Sequence, residues 1–222
     1  MGDPHEKLER ARLYFVCEAG EDLDALDRLL EEALSGGADL VQLRDKDADE
    51  ERLLAAAPAF RAAADRHGAL FLINDRPDLV GACAADGVHV GQDDTGVAEA
   101  RRLAGPEALV GLSTHNADQL EAAHAATGAA RPDYLSVGPV WETPTKPGRP
   151  AAGLAYVELA VTRATLPWFA IGGIDATNVA AVRAAGASRV VVVRAIRDAA
   201  DPRAVTAELR QALPEPLTAG AR

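Results

Sequence analysis

Residues 133–148 read DYLSVGPVWETPTKPG. The run from Tyr134 to Val137 is apolar and β-rich. It stops at Gly138-Pro139, as a strand does when it passes into a loop. The loop then carries Thr143, Thr145 and Lys146. Pro144 and Pro147 stiffen it, because each proline fixes φ. Hydroxyls and an ammonium on a stiff loop suit phosphate oxygens. A surface turn rich in Pro and Thr is the plainer alternative. The succession of short apolar run, polar loop and helical segment recurs along the chain, and that recurrence decides the fold.

Working outward, strands are expected at 13–16, 40–43, 70–73, 87–90, 109–112, 134–137, 168–171 and 189–193. Helices are expected at 22–35, 49–66, 77–84, 97–103, 117–127, 154–164, 176–185 and 202–213. The first helix shows the helical period clearly, with Leu23, Leu26, Leu29, Leu30 and Leu34 on one face and Gly36-Gly37 at its end. Eight strand-then-helix units, evenly spaced, match an α/β chain folded as a single (β/α)8 TIM barrel. A doubly wound sheet is the second choice, since it usually has fewer strands. No linker or low-complexity segment divides the sequence. The expected organisation is a variable N-terminal extension at 1–12, a barrel catalytic domain at 13–213 and a flexible tail at 214–222.

Composition supports this reading. The chain has 222 residues, of which 48% are hydrophobic and only 4% aromatic. Ala, Val and Leu dominate, as in helices packed on a parallel sheet. The net charge of −11 argues against a general nucleic-acid or anionic-membrane surface. An anionic small substrate would therefore need locally placed cations. Cys17 and Cys83 form no metal-ligand spacing or disulfide framework. No run of about 18 apolar residues indicates a membrane span, and the first residues lack a signal-peptide core. A cytoplasmic location is the expectation. The sequence carries no signal for oligomeric state, and a homo-oligomer is compatible with it.

In barrels of this kind, chemistry gathers where strands end. Gln42, Arg44, Asp45 and Lys46 follow the second strand, Asn74 and Asp75 the third, and Asp94 the fourth. Ser113 and His115 follow the fifth, Gly172 and Gly173 the seventh, and Arg194 the eighth. Asp75 and Asp94, after adjacent strands, could share a hard cation. Mg2+ commonly takes one or two protein carboxylates and completes its shell with water and phosphate oxygens. Alternatively Asp75 caps the helix that follows, and Asp93 competes with Asp94. Arg44 and Lys46 can face one side of an extended segment and, with Lys146, meet a diphosphate. Salt bridges to Asp45 and Asp47 are the other reading. Gly172-Gly173 lets backbone N–H groups approach an anion, near Thr143, Thr145 and the Val193-Arg194 pair. His89, Cys17 and Cys83 read as structural, and His115 as a loop hydrogen-bonder.

Six blocks carry a resemblance: QLRDK at 42–46, NDRPDLV at 74–80, DGVHVGQDD at 86–94, GLSTH at 111–115, GPVWETPTKPG at 138–148 and AIGGI at 170–174. In this order they are similar to the blocks of the thiamine-phosphate synthases, over roughly residues 14–196. The resemblance implies a transferase that joins a hydroxymethylpyrimidine diphosphate to a hydroxyethylthiazole phosphate, plain or carboxylated. The products are thiamine phosphate and diphosphate, with CO2 from the carboxylated form. It implies that Gln42, Leu43, Arg44, Asp45, Lys46, Asn74, Ser113 and Lys146 bind the pyrimidine diphosphate. Arg44, Lys46, Lys146 and Ser113 carry the catalytic roles. Asp75 and Asp94 hold Mg2+, and Thr143, Thr145, Gly173, Val193 and Arg194 hold the thiazole phosphate. Arg194, in VVVRAI, departs from the family, which often has Ser there. The implied mechanism is dissociative: diphosphate leaves, a pyrimidine-stabilised cation forms, and the thiazole nitrogen attacks it. A thiazole tautomerase of the same fold also resembles the chain, with a histidine where His115 stands. It would not need Arg44, Lys46, Asp75, Asp94 and Lys146. A non-catalytic sensor of a phosphate ligand is the remaining alternative, and fold by itself does not exclude it.

Overall fold

A computed structural model describes residues 2–143 and 150–214. Eight parallel strands close into a barrel in sequence order. They are β1 (Leu13–Cys17), β2 (Leu40–Leu43), β3 (Leu70–Asn74), β4 (Gly87–Val90), β5 (Leu109–Thr114), β6 (Tyr134–Val137), β7 (Trp168–Ile171) and β8 (Val190–Val192). β1 closes the ring on β8, with Tyr14 opposite Val191.

The helices are α1 (Pro4–Arg10), α2 (Leu23–Ser35), α3 (Glu50–His67), α4 (Val97–Ala104), α5 (Ala117–Ala125), α6 (Gly153–Arg163), α7 (Val179–Ala184), α8 (Arg194–Arg197) and α9 (Pro202–Ala212). The helix expected at 77–84 is a single 3-10 turn, Pro77–Leu79, followed by further turns. Two helices were not foreseen. Within the expected extension, Asp3 caps α1 by accepting from the His5 N–H at 3.0 Å, and Pro4 sits where a helix tolerates it. The short α8 starts where the eighth strand was expected to end.

Successive side chains of each strand alternate between two apolar layers. Outward residues such as Phe15, Val41, Leu43, Phe71 and Val88 pack under the helices in one large cluster. Inward residues form a second cluster that fills the lower barrel: Tyr14, Val16, Leu40, Leu70, Leu72, Leu109, Tyr134, Phe169 and Val191. Leu8 and Ala11, from α1 and the residue after it, join that inner cluster and close the amino-terminal mouth. The rings of Tyr14, Tyr134 and Phe169 meet edge to face at 5.6–6.2 Å between centroids, a favoured aromatic geometry. Gly111 makes room for them, because an added Cβ would fall inside the Tyr134 ring.

Two arginines brace the same mouth. The Arg189 guanidinium donates to the Ala11 and Glu9 carbonyls at 3.0 and 2.7 Å, and Arg12 donates to the Leu213 carbonyl at 3.0 Å. Among the described residues, no helix is long and apolar enough to cross a membrane.

Candidate active site

Above the aromatic layer the inward positions turn polar. Gln42 lies near the end of β2, Asn74 ends β3, His89 lies near the end of β4, and Ser113 and Ser136 occupy β5 and β6. All five line a cavity of about 530 Å³ at the carboxyl ends of the strands. Arg44 lines it from the loop after β2. The floor is closely hydrogen-bonded. His89 Nε2 lies 2.9 Å from Ser113 Oγ, and His89 Nδ1 lies 2.9 Å from the Tyr134 hydroxyl. The Tyr134 and Tyr14 hydroxyls are 3.2 Å apart, and Gln42 Nε2 donates to the Tyr14 hydroxyl at 2.6 Å.

Beside the floor, the turn after β3 carries the charge. Asp75 adopts φ +58°, in the left-handed region, a conformation that costs a non-glycine residue about 1–2 kcal/mol. Asn74 Nδ2 donates to Asp75 Oδ2 at 2.7 Å, and Lys46 Nζ lies 3.3 Å from the same oxygen. The carboxylate does not cap the following turn, which has no side-chain cap. Lys46 thus meets Asp75 rather than Asp45 or Asp47. Burial raises the Asp75 pKa, the neighbouring Asp94 carboxylate raises it further, and Lys46 opposes both. Asp94, not Asp93, is the carboxylate that reaches Asp75. It is braced by the Gly91 N–H at 2.9 Å.

Two carboxylates this close repel unless a proton or cation lies between them. Among the described residues, no group of three His, Cys, Asp or Glu side chains could hold a metal. The pair therefore suits a hard cation that brings most of its shell as water and ligand phosphate, and does not suit a cage made of protein alone.

The opposite wall comes from the loops after β6 and β7. Val140 and Trp141 donate from their N–H groups to the Ile171 and Gly172 carbonyls at 2.8 and 3.1 Å, joining the two loops. Gly172 and Gly173 both have positive φ, at 107° and 67°. A Cβ on Gly172 would approach Pro139 to 2.5 Å, so only glycine satisfies both conformation and space there. Asn178 braces the turn by donating to the Gly173 carbonyl at 2.8 Å. Thr143, Gly173, Val193 and Arg194 all line this wall. Arg194 is exposed and begins α8.

The fold thus brings Gln42, Arg44, Asn74, Ser113, Thr143, Gly173, Val193 and Arg194 to one cavity, with Lys46, Asp75 and Asp94 adjoining it. Leu43 and Asp45 are not brought there. The Leu43 side chain is outward and wholly buried under the helices, because it is one residue out of phase with Gln42. Asp45 Oδ1 accepts from the Asp47 and Ala48 N–H groups at 3.2 and 3.1 Å, shaping its own turn. Thr145 and Lys146 lie outside the described residues.

Sequence reasoning missed His89, Ser136 and His115 as cavity residues. A signal existed for the first two: each alternates with outward apolar neighbours, so each is polar at an inward position. His115 Nδ1 lies 2.7 Å from the Gly138 carbonyl. That contact joins loops distant in sequence, and no local pattern announces it.

Known proteins extend the picture. The family model described as thiamine monophosphate synthase matches residues 13–196. A thiamine-phosphate synthase of Thermobifida fusca is 51% identical over 209 residues, covering 94% of each chain. One from Mycobacterium marinum is 48% identical, covering 94% of this chain and 98% of that protein. Among solved structures, a thiamine phosphate pyrophosphorylase from Pyrococcus furiosus superposes with a TM-score of 0.80 at 30% identity, covering 94% of this chain and 96% of that one. A 3-hexulose-6-phosphate synthase, at 21% identity and a TM-score of 0.67, shares the fold.

Proposed function

We infer the chemistry of the cavity from its premise: the chain belongs to the thiamine monophosphate synthase family. It is a transferase acting on small-molecule substrates, and the reaction is the formation of thiamine phosphate. The substrates we assign are the hydroxymethylpyrimidine diphosphate and the hydroxyethylthiazole phosphate, with diphosphate as the leaving group.

The observation that carries the assignment of the site is the Asp75–Asp94 carboxylate pair, set beside a neutral polar floor and opposite a glycine-rich wall. The pyrimidine ring lies over Gln42, Asn74 and Ser113, where uncharged donors and acceptors can read its nitrogens. Its diphosphate extends toward Arg44, Lys46 and the carboxylate pair. Asp75 and Asp94 would hold Mg2+, which when bound supplies positive charge to the departing diphosphate. Arg44 and Lys46 add fixed charge of the same sign where negative charge develops. Lys46 already spans the gap to Asp75, so a diphosphate would meet it at the mouth of the cavity. The thiazole phosphate is assigned to Thr143, Gly173, Val193 and Arg194, which places its ring between that wall and the pyrimidine. Thr145 and Lys146, two and three residues beyond Thr143 in the sequence, are assigned to the two phosphates in this reading. His89 and Ser113 stand 2.9 Å apart on the cavity floor, and in this reading they hold the pyrimidine, since a step in which the leaving group departs first needs no nucleophile from the protein. The apolar lining from Val16, Ile171, Ile174 and Val191 keeps water from the cation that forms.

The test is thiamine phosphate formation from both substrates with Mg2+, repeated with EDTA and with Asp75→Ala. Product lost in both controls supports the reaction and the metal assignment together. Product indifferent to EDTA removes Asp75 and Asp94 as metal ligands and leaves the reaction standing.

A further inference from the structure

We infer that Tyr134, backed by Tyr14, is a positioning residue that sets the tautomer of His89 and thereby aims the Ser113 hydroxyl into the cavity. The inference deepens the assignment of the pyrimidine to this floor and rests on it for its consequence, though not for its geometry.

Five side chains form an unbroken line of hydrogen bonds from Gln42 on β2 to Ser113 on β5. Gln42 Nε2 is a donor to the Tyr14 hydroxyl at 2.6 Å. Gln42 Nε2 cannot accept, so among the described residues the acceptor for the buried Tyr14 proton is the Tyr134 hydroxyl, 3.2 Å away. Tyr134 then has its proton left for His89 Nδ1 at 2.9 Å. A nitrogen that accepts there carries no proton, so the ring proton sits on Nε2. Nε2 faces Ser113 Oγ at 2.9 Å and donates to it. Ser136 Oγ also donates to Ser113 Oγ, at 3.3 Å. With both lone pairs engaged, Ser113 presents its own O–H as a donor to the cavity it lines. A ring nitrogen of the pyrimidine is the acceptor that such a donor fits.

The line is well shielded: Tyr14, Tyr134, Gln42, His89, Ser113 and Ser136 are all buried. Burial also pushes the pKa of both phenols upward, so each keeps the proton it passes on. The polarity of the whole line follows from the Gln42 amide. Turned over, that amide would accept from Tyr14, every proton downstream would reverse, and His89 would carry its proton on Nδ1 toward Tyr134.

The opposite polarity makes a direct test. Full-length protein labelled with 15N-histidine reports the proton position through long-range 1H–15N correlations. The native enzyme is expected to show His89 as the Nε2–H tautomer, Tyr14→Phe to retain it, and Tyr134→Phe to mix the two tautomers. In steady-state assays Tyr134→Phe is expected to lower kcat/KM for the pyrimidine diphosphate roughly tenfold, with KM for the thiazole phosphate unmoved. An Nδ1–H tautomer in the native protein overturns the inference, and that measurement needs no variant to fold. Equal kcat/KM for Tyr134→Phe and native enzyme, with the tautomer unchanged, also overturns it. If the expected tautomers appear but no thiamine phosphate forms, the proton order stands and the assigned reaction falls.

Discussion

The two mouths of the barrel hold the same kind of residue for opposite ends. At the amino-terminal mouth, Arg12 and Arg189 are buried, and their guanidiniums are spent on backbone carbonyls of α1, its following residue and Leu213. At the carboxyl-terminal mouth, Arg44 and Arg194 line a cavity. The difference lies in what faces the side chain. Strands of a parallel barrel start together at one mouth and end together at the other; α1, which precedes β1, covers the first, and the loops after the strands leave the second open. A buried guanidinium needs acceptors in place before the protein is stable; one at an open mouth can wait for a ligand. Stability and function are thus separated along the barrel axis.

Four substitutions can break or sharpen that separation. The largest effect is expected from Asp75→Ala at the open mouth: about a 10³-fold loss of kcat/KM with Mg2+ present, read by product formation, and little loss of fold. Next is Leu8→Ala at the closed mouth. It should lower stability by about 3 kcal/mol through lost burial and a residual void, measured by urea unfolding, while KM for both substrates holds. Arg189→Ala should follow, at about 2 kcal/mol, since it leaves the Ala11 and Glu9 carbonyls without their donor. An activity loss in Arg189→Ala larger than its stability loss would mean that the closed mouth communicates with the site, and the division would fail. The smallest expected effect is the gain of about 1 kcal/mol for Asp75→Asn without divalent cation, from removing one charge of a repelling pair. Adding Mg2+ should raise the melting temperature of the native protein and not of this variant.

Much of the fold was legible. β2, β4, β6 and β7 run over the residues expected of them, because a buried parallel strand is a short apolar run with sharp polar ends. The errors sit where the local signal is weak. No helix is expected at 1–12, although Asp3, Pro4 and Leu8 are cap, first-turn proline and core residue of α1. With one buried leucine it has too little periodicity to read without the barrel beneath it. β8 is shorter than the run at 189–193 leads one to expect, because Val193, which continues the valine run, turns into α8 instead. Among the candidate residues, the Leu43 side chain faces outward while Gln42 faces the cavity, because adjacent strand residues face opposite layers.

Order along the chain and the period of its apolar residues sufficed for eight strands, their sequence around the barrel and the mouth where chemistry gathers. These are local properties, written in neighbours a few residues apart. Tertiary structure alone decided which arginines are consumed in bracing, that Asp94 rather than Asp93 reaches Asp75, and that His89 joins Tyr134 to Ser113. Those outcomes depend on partners delivered from other strands at distances near 3 Å. Residue spacing along a chain carries no information at that scale across a closed sheet.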